Sequence, residues 1–99
     1  MSIQHILMYR FKDEVPESRI DEHLAFIESA RGQHTGLLDL KCGREVGKKA
    51  RQYSHGFVMV FESQQALDDY NASPWHDELV STFKGYVDDK LVFDFSTDS

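Results

Sequence analysis

Four side chains able to hold or move a proton stand among apolar neighbours: His5 in SIQHILMYRF, and His55, Tyr70 and His76 in the run YSHGFVMVFESQQALDDYNASPWH. An imidazole that titrates near neutrality can accept a proton from the carbon next to a carbonyl, and a phenol can donate a hydrogen bond to the enolate oxygen that results. A second reading, in which these groups only satisfy buried hydrogen bonds, needs no substrate. Which reading holds depends on the elements that carry them.

Residues 3–11 alternate as a strand, with Ile3, His5, Leu7, Tyr9 and Phe11 on one face and Ile6 and Met8 on the other. Pro16 fits the first position of a helix, in which Ile20, Leu24, Ile27 and Arg31 form one stripe, stopping near Gly32 or Gly36. A second strand is expected over Leu37 to Val46, with Gly43 marking a bulge or a close approach. The segment Gly47 to Gln52 reads as a charged connection, followed by a third strand from Tyr53 to Phe61 with His55, Phe57, Met59 and Phe61 on one side. Ser63 is a candidate N-cap for a helix containing Ala66, Leu67 and Tyr70. Ser73-Pro74 opens another helix, whose His76, Leu79, Val80, Phe83 and Val87 share one face, and Leu91 to Phe95 make a last strand.

This order predicts an α+β sandwich: one four-stranded antiparallel sheet with helices on one side. Pairing Leu7 with Phe57 separates His5 from His55 by about four residues, or ~13 Å along the strand. The uncovered side would expose Ile6, Met8, Val58 and Val60, joined either by Val92 or by Leu91, Phe93 and Phe95. Contiguous apolar patches of this kind are unusual on soluble monomers. Withdrawing five such side chains per subunit contributes on the order of 5–10 kcal/mol before association costs, which predicts a homodimer with sheet packed on sheet.

The 99 residues suit a single domain spanning 1–99. Seventeen acidic against eleven basic residues give a net charge of -6, opposing general attraction to nucleic acid or anionic membrane. The single cysteine, Cys42, forms no intrachain disulfide, and a secretory leader and a membrane-spanning run are both missing from the pattern, so a cytoplasmic location is expected. The polar tail Ser96 to Ser99 is expected to lie outside the fold. Five histidines occur without an i, i+4 pair or Cys-rich spacing, so no metal site is expected. Cys42 lacks a neighbouring base and reads as a packing residue. Lys41, Arg44, Lys48, Lys49 and Arg51 either steer an anionic ligand or form a solvated loop.

The opening IQHILMYRFK, the central YSHGFVMVFES, then DDYNASPWHDEL and a closing LVFDF occur in the order that resembles the stress-responsive A/B-barrel family, the dimeric alpha-beta barrel or Dabb proteins. The resemblance covers nearly the whole chain. It implies a ferredoxin-like subunit whose sheet pairs with that of its mate to form a barrel. Some plant members cyclise linear polyketides by an intramolecular aldol step without metal or organic cofactor, and the positions matching their site are His5, Tyr70 and His76. By the same resemblance Asp94 orients His76, which requires Phe93 and Phe95 to turn toward the dimer partner. Leu7, His55, Trp75 and Phe83 are expected to contribute to a small apolar or aromatic ligand pocket, with the bulk of Trp75 working against a long alkyl chain. In this reading His76, near a helix N-terminus whose field disfavours imidazolium, is the base, Tyr70 the donor and His5 their support. Three functions follow: a cofactor-independent cyclase or lyase acting on a ketone or polyketide-like molecule, a non-catalytic small-molecule-binding or stress-associated dimer, and a cofactor-independent oxygenase.

Overall fold

Strand alternation sets the architecture. In the computed structural model, which describes residues 1–98, β1 (Ser2–Phe11) buries Ile3, His5, Tyr9 and Phe11 on one face. β3 (His55–Phe61) does the same with His55, Phe57, Met59 and Phe61. The two pair antiparallel with Leu7 opposite Phe57, so His5 faces Met59 and Tyr9 faces His55. β2 (Leu37–Arg44) borders β3 and β4 (Val87–Thr97) borders β1, giving an antiparallel sheet of order β2-β3-β1-β4.

Three helices cover one face of this sheet. α1 (Glu17–Glu28) has Pro16 as its N-cap rather than its first residue, and turns Ile20, His23 and Ile27 inward. It ends before Gly32, so Arg31 lies beyond it and bonds Glu28 and the Leu40 carbonyl. Gly32 and Gly36 turn the chain back at φ of 76° and 87°. At Gly36 a Cβ would lie 2.7 Å from that of Ala66, so this turn needs glycine for space as well as for φ. α2 (Gln64–Asn71) is capped by Ser63, whose Oγ accepts from the Ala66 N–H at 3.1 Å. α3 (Pro74–Phe83) repeats the device, with Ser73 Oγ accepting from the His76 N–H at 3.1 Å.

Several features differ from expectation. Val87 is not helical: α3 stops at Phe83, a turn closes between Phe83 and Tyr86, and Val87 pairs with Phe11 as β4 begins. Ser96 and Thr97 belong to β4, where the Thr97 hydroxyl bonds that of Ser2 at 2.9 Å, while Ser99 lies outside the described residues. Gly43 marks no bulge; it pairs directly with Gly56, and the register shift in this ladder falls between Leu37 and Asp39.

The β1–β4 register decides which way the last strand faces. Phe93 lies opposite Ile6, Leu91 opposite Met8 and Asp94 opposite His5. Leu91, Phe93 and Phe95 therefore share the bare face with Ile6, Met8 and Val58, and Phe93 remains 58% exposed. Asp94 and Val92 turn to the side that carries the helices.

Candidate functional site

Between the covered face of the sheet and α3 lies a cavity of about 590 Å³, with His5, Tyr70, His76, Leu79, Phe83 and Asp94 on its wall. β1 supplies His5, α2 supplies Tyr70 near its end, and the Ser73-Pro74 start of α3 sets His76 one turn further on. The ring centroids of His5 and Tyr70 are 5.7 Å apart and those of Tyr70 and His76 are 5.2 Å apart. The residues picked out as proton carriers at β1, α2 and α3 thus meet at one cavity.

Their electrostatics differ. Burial holds the His76 imidazole below the usual histidine value, reinforced by His5 and Lys90 and opposed by Asp77. Its ring is therefore neutral at physiological pH and able to take a proton. Burial also pushes the Tyr70 phenol well above its ordinary value, so it stays protonated and can donate. His5 Nδ1 lies 2.5 Å from Asp94 Oδ1. A carboxylate oxygen accepts, so the hydrogen of this bond lies on Nδ1 and Nε2 is the ring nitrogen left free of Asp94.

Asp94 is thus bonded to His5, not to His76 as the resemblance implied, because the β1–β4 ladder sets His5 and Asp94 directly opposite one another. Trp75 is off the cavity wall. It stacks on Phe26 with centroids 5.0 Å apart and donates its indole N–H to Ser29 Oγ at 3.0 Å, so it does not crowd His76 from within. His55 is off the wall too, buried beside Tyr9 and Phe11 with its Nδ1 2.7 Å from Ser54 Oγ. Leu7 and Phe83 are on it.

Tyr9 and His23 also line this cavity, and neither was picked out as a site residue. His23 Nε2 lies 2.8 Å from the Tyr9 hydroxyl. The signal for His23 was available: it sits three residues after Ile20 and four before Ile27, on the stripe that packs inward. Cys42 contacts Glu28 and its thiol is pushed up to about 11, chiefly by burial, which keeps it protonated. Lys41, Arg44, Lys48, Lys49 and Arg51 are off the wall of this cavity. Among the described residues, no three His, Cys, Asp or Glu side chains are grouped as a metal ion would require, and no helix is long and apolar enough to cross a membrane.

A four-stranded antiparallel sheet with helices on one face, in the order β2-β3-β1-β4, is the ferredoxin-like α+β fold. The chain belongs to the Stress responsive A/B Barrel Domain family, Dabb, which it matches over residues 3–97. It is 24% identical over 98 residues to the olivetolic acid cyclase of Cannabis sativa, covering 97% of each chain. It is 29% identical over 99 residues to the stress-response A/B barrel domain-containing protein HS1 of Arabidopsis thaliana, covering 98% of this chain and 91% of that one. A dimeric ferredoxin-like protein of unknown function from Jannaschia sp. CCS1 superposes with a TM-score of 0.85 at 23% identity, over 98% of this chain and 100% of that one.

Proposed function

We propose that the cavity carries out cofactor-independent acid–base chemistry on a small ketone or polyketide-like molecule, closing a ring by an intramolecular aldol step. The observation that carries this reading is the convergence of a neutral His76, a protonated Tyr70 and the His5–Asp94 pair on one 590 Å³ space. The similarity to olivetolic acid cyclase across 97% of both chains supports the choice of a cyclisation.

In this mechanism His76 takes a proton from the carbon next to a carbonyl. The C–H electron pair becomes the C=C bond of an enolate, whose oxygen accepts a hydrogen bond from Tyr70. The enolate carbon attacks a second carbonyl in the same molecule and forms the new C–C bond. The alkoxide so formed takes the proton back from the His76 imidazolium. His5, held by Asp94, presents Nε2 to the substrate and fixes its orientation. The test is proton exchange next to the carbonyl of a diketone in D2O, followed by NMR. Wild-type protein accelerates exchange and His76→Ala loses the acceleration; equal rates for the two remove His76 as the base. Oxygen uptake with a quinol in the same preparation would instead favour the oxygenase reading.

The bare face supports a homodimeric assembly. Ile6, Met8, Leu91, Phe93 and Phe95 form an apolar surface on a chain of net charge -6, and a second copy of the same sheet is its proposed cover. The dimeric protein from Jannaschia, with a TM-score of 0.85, supports that geometry. Light scattering at micromolar concentration tests it, with a monomer as the refuting result. Cys42 is a free thiol, which suits a reducing compartment such as the cytoplasm.

A further inference from the structure

The cavity has a second polar end. Tyr9 shares the covered face of β1 with His5 but lies four residues further along, about 13 Å at the rise of an extended strand. Its hydroxyl meets His23 Nε2 at 2.8 Å, and both residues line the same cavity as His5 and His76. Tyr9 is 1% exposed and His23 is 4% exposed, and His23 packs edge-on against Phe83 with centroids 4.7 Å apart. His23 Nδ1 is buried without a hydrogen-bond partner.

Simple bookkeeping of protons shows that this pair is incomplete. Burial holds His23 down at about 4, so the ring is neutral and carries one N–H. If Tyr9 donates to Nε2, the hydrogen sits on Nδ1, where no protein group accepts it. If instead Nε2–H donates to Tyr9, the phenol hydrogen is unspent, since the Tyr9 hydroxyl makes no other hydrogen bond among the described residues. In either tautomer one buried donor is left over, which costs the fold the full desolvation of that group. The mechanism proposed above uses neither residue.

We infer that Tyr9 and His23 form a second polar subsite that donates a hydrogen bond to a carbonyl or phenolic oxygen at the end of the substrate remote from His76. The ligand class is therefore a compound oxygenated at both ends, such as a polyketone or a phenol-bearing ketone, rather than a ketone ending in an alkyl tail. The inference rests on the reading that the reacting carbonyl lies against Tyr70 and His76. It also replaces Trp75, which lies off the wall, as the reason an alkyl tail is disfavoured.

The experiment compares benzylacetone with its para-hydroxyl derivative, two ketones that differ by one oxygen at the far end, by titration calorimetry on the intact protein. Wild type binds the hydroxylated compound about tenfold more tightly, the size of one well-made hydrogen bond. In Tyr9→Phe and in His23→Leu the ratio falls to near one. Equal binding of the two ketones by wild type overturns the inference, and needs no variant to fold; it would mean that an ordered water satisfies the donor. A preference that survives in both variants overturns it as well. Proton exchange next to the carbonyl, measured on the same two ketones in D2O, separates this inference from the base assignment. Preference without exchange sinks the His76 reading alone, and exchange without preference sinks only the subsite.

Discussion

The two faces of the sheet depart from the usual distribution of polarity in different ways. The helix-covered face of β1 and its neighbours carries His5, Tyr9, His55 and Asp94, whereas the bare face carries Ile6, Met8, Leu91, Phe93 and Phe95. A buried polar group costs free energy unless it finds a partner, and an exposed apolar patch is a liability unless something covers it. The covered-side groups find partners within the subunit, His5 with Asp94, Tyr9 with His23 and His55 with Ser54, whereas the apolar bare side has no cover among the described residues.

The comparison breaks most dramatically at Phe93. Placing a carboxylate there by Phe93→Asp should weaken self-association by about a thousandfold or more, comparable to the loss of a buried aromatic anchor, as read by sedimentation. An intact dimer would move the interface elsewhere. On the covered face, His76→Ala should lower turnover by about 10²- to 10⁴-fold while leaving sedimentation unchanged. Asp94→Asn should cost less, about ten- to a hundredfold, because the substrate still meets His76 and Tyr70 while His5 loses the group that fixes its tautomer. If Asp94→Asn instead matches His76→Ala, His5 is the base and the roles of the two histidines are exchanged.

Smaller effects concern pH. Activity that needs neutral His76 should fall as pH drops through a midpoint below the ordinary histidine value of 6.5. Lys90→Met removes a charge that disfavours imidazolium and should move that midpoint up, whereas Asp77→Asn should move it down, each read from the acid limb of kcat/KM. Stability has its own dependence. His23 is depressed from 6.5 to about 4 in the folded state, so the unfolded chain binds more protons between those values. Stability is full above 6.5 and declines as pH falls toward 4, and His23→Leu should flatten this slope in urea melts repeated across that range.

Much of this contrast was legible in the chain, since the alternation in β1 and β3 specifies the buried set, while a register shifted by two residues would have kept the same faces and only the structure fixes Leu7 opposite Phe57. The facing of β4 was not legible, because Val92 on one side and Leu91, Phe93 and Phe95 on the other are all apolar and give no inside. Pairing with β1 made the choice, and with it the partner of Asp94. Val87 fitted the helical spacing numerically, but the turn through Gly85 and the Lys12 N–H bond to the Tyr86 carbonyl carried it into the sheet. The position of Trp75 depended on Phe26 and Ser29, two residues of the distant α1 region, and no local pattern announces such a contact. The inward position of His23 was available from its spacing to Ile20 and Ile27, but its partner, the Tyr9 hydroxyl on a different element, was not.

The bond between His5 and Asp94 spans 89 positions of the chain and joins the first strand to the last. β1 is translated before β4 and before every element between them, so the wall of the cavity cannot close while the nascent chain still lacks β4. The helices and the β1–β3 pair can assemble earlier, but they would enclose a His5 without its carboxylate and a cavity missing one side. Under the acid–base reading proposed above, a product stalled before β4 would lack that chemistry.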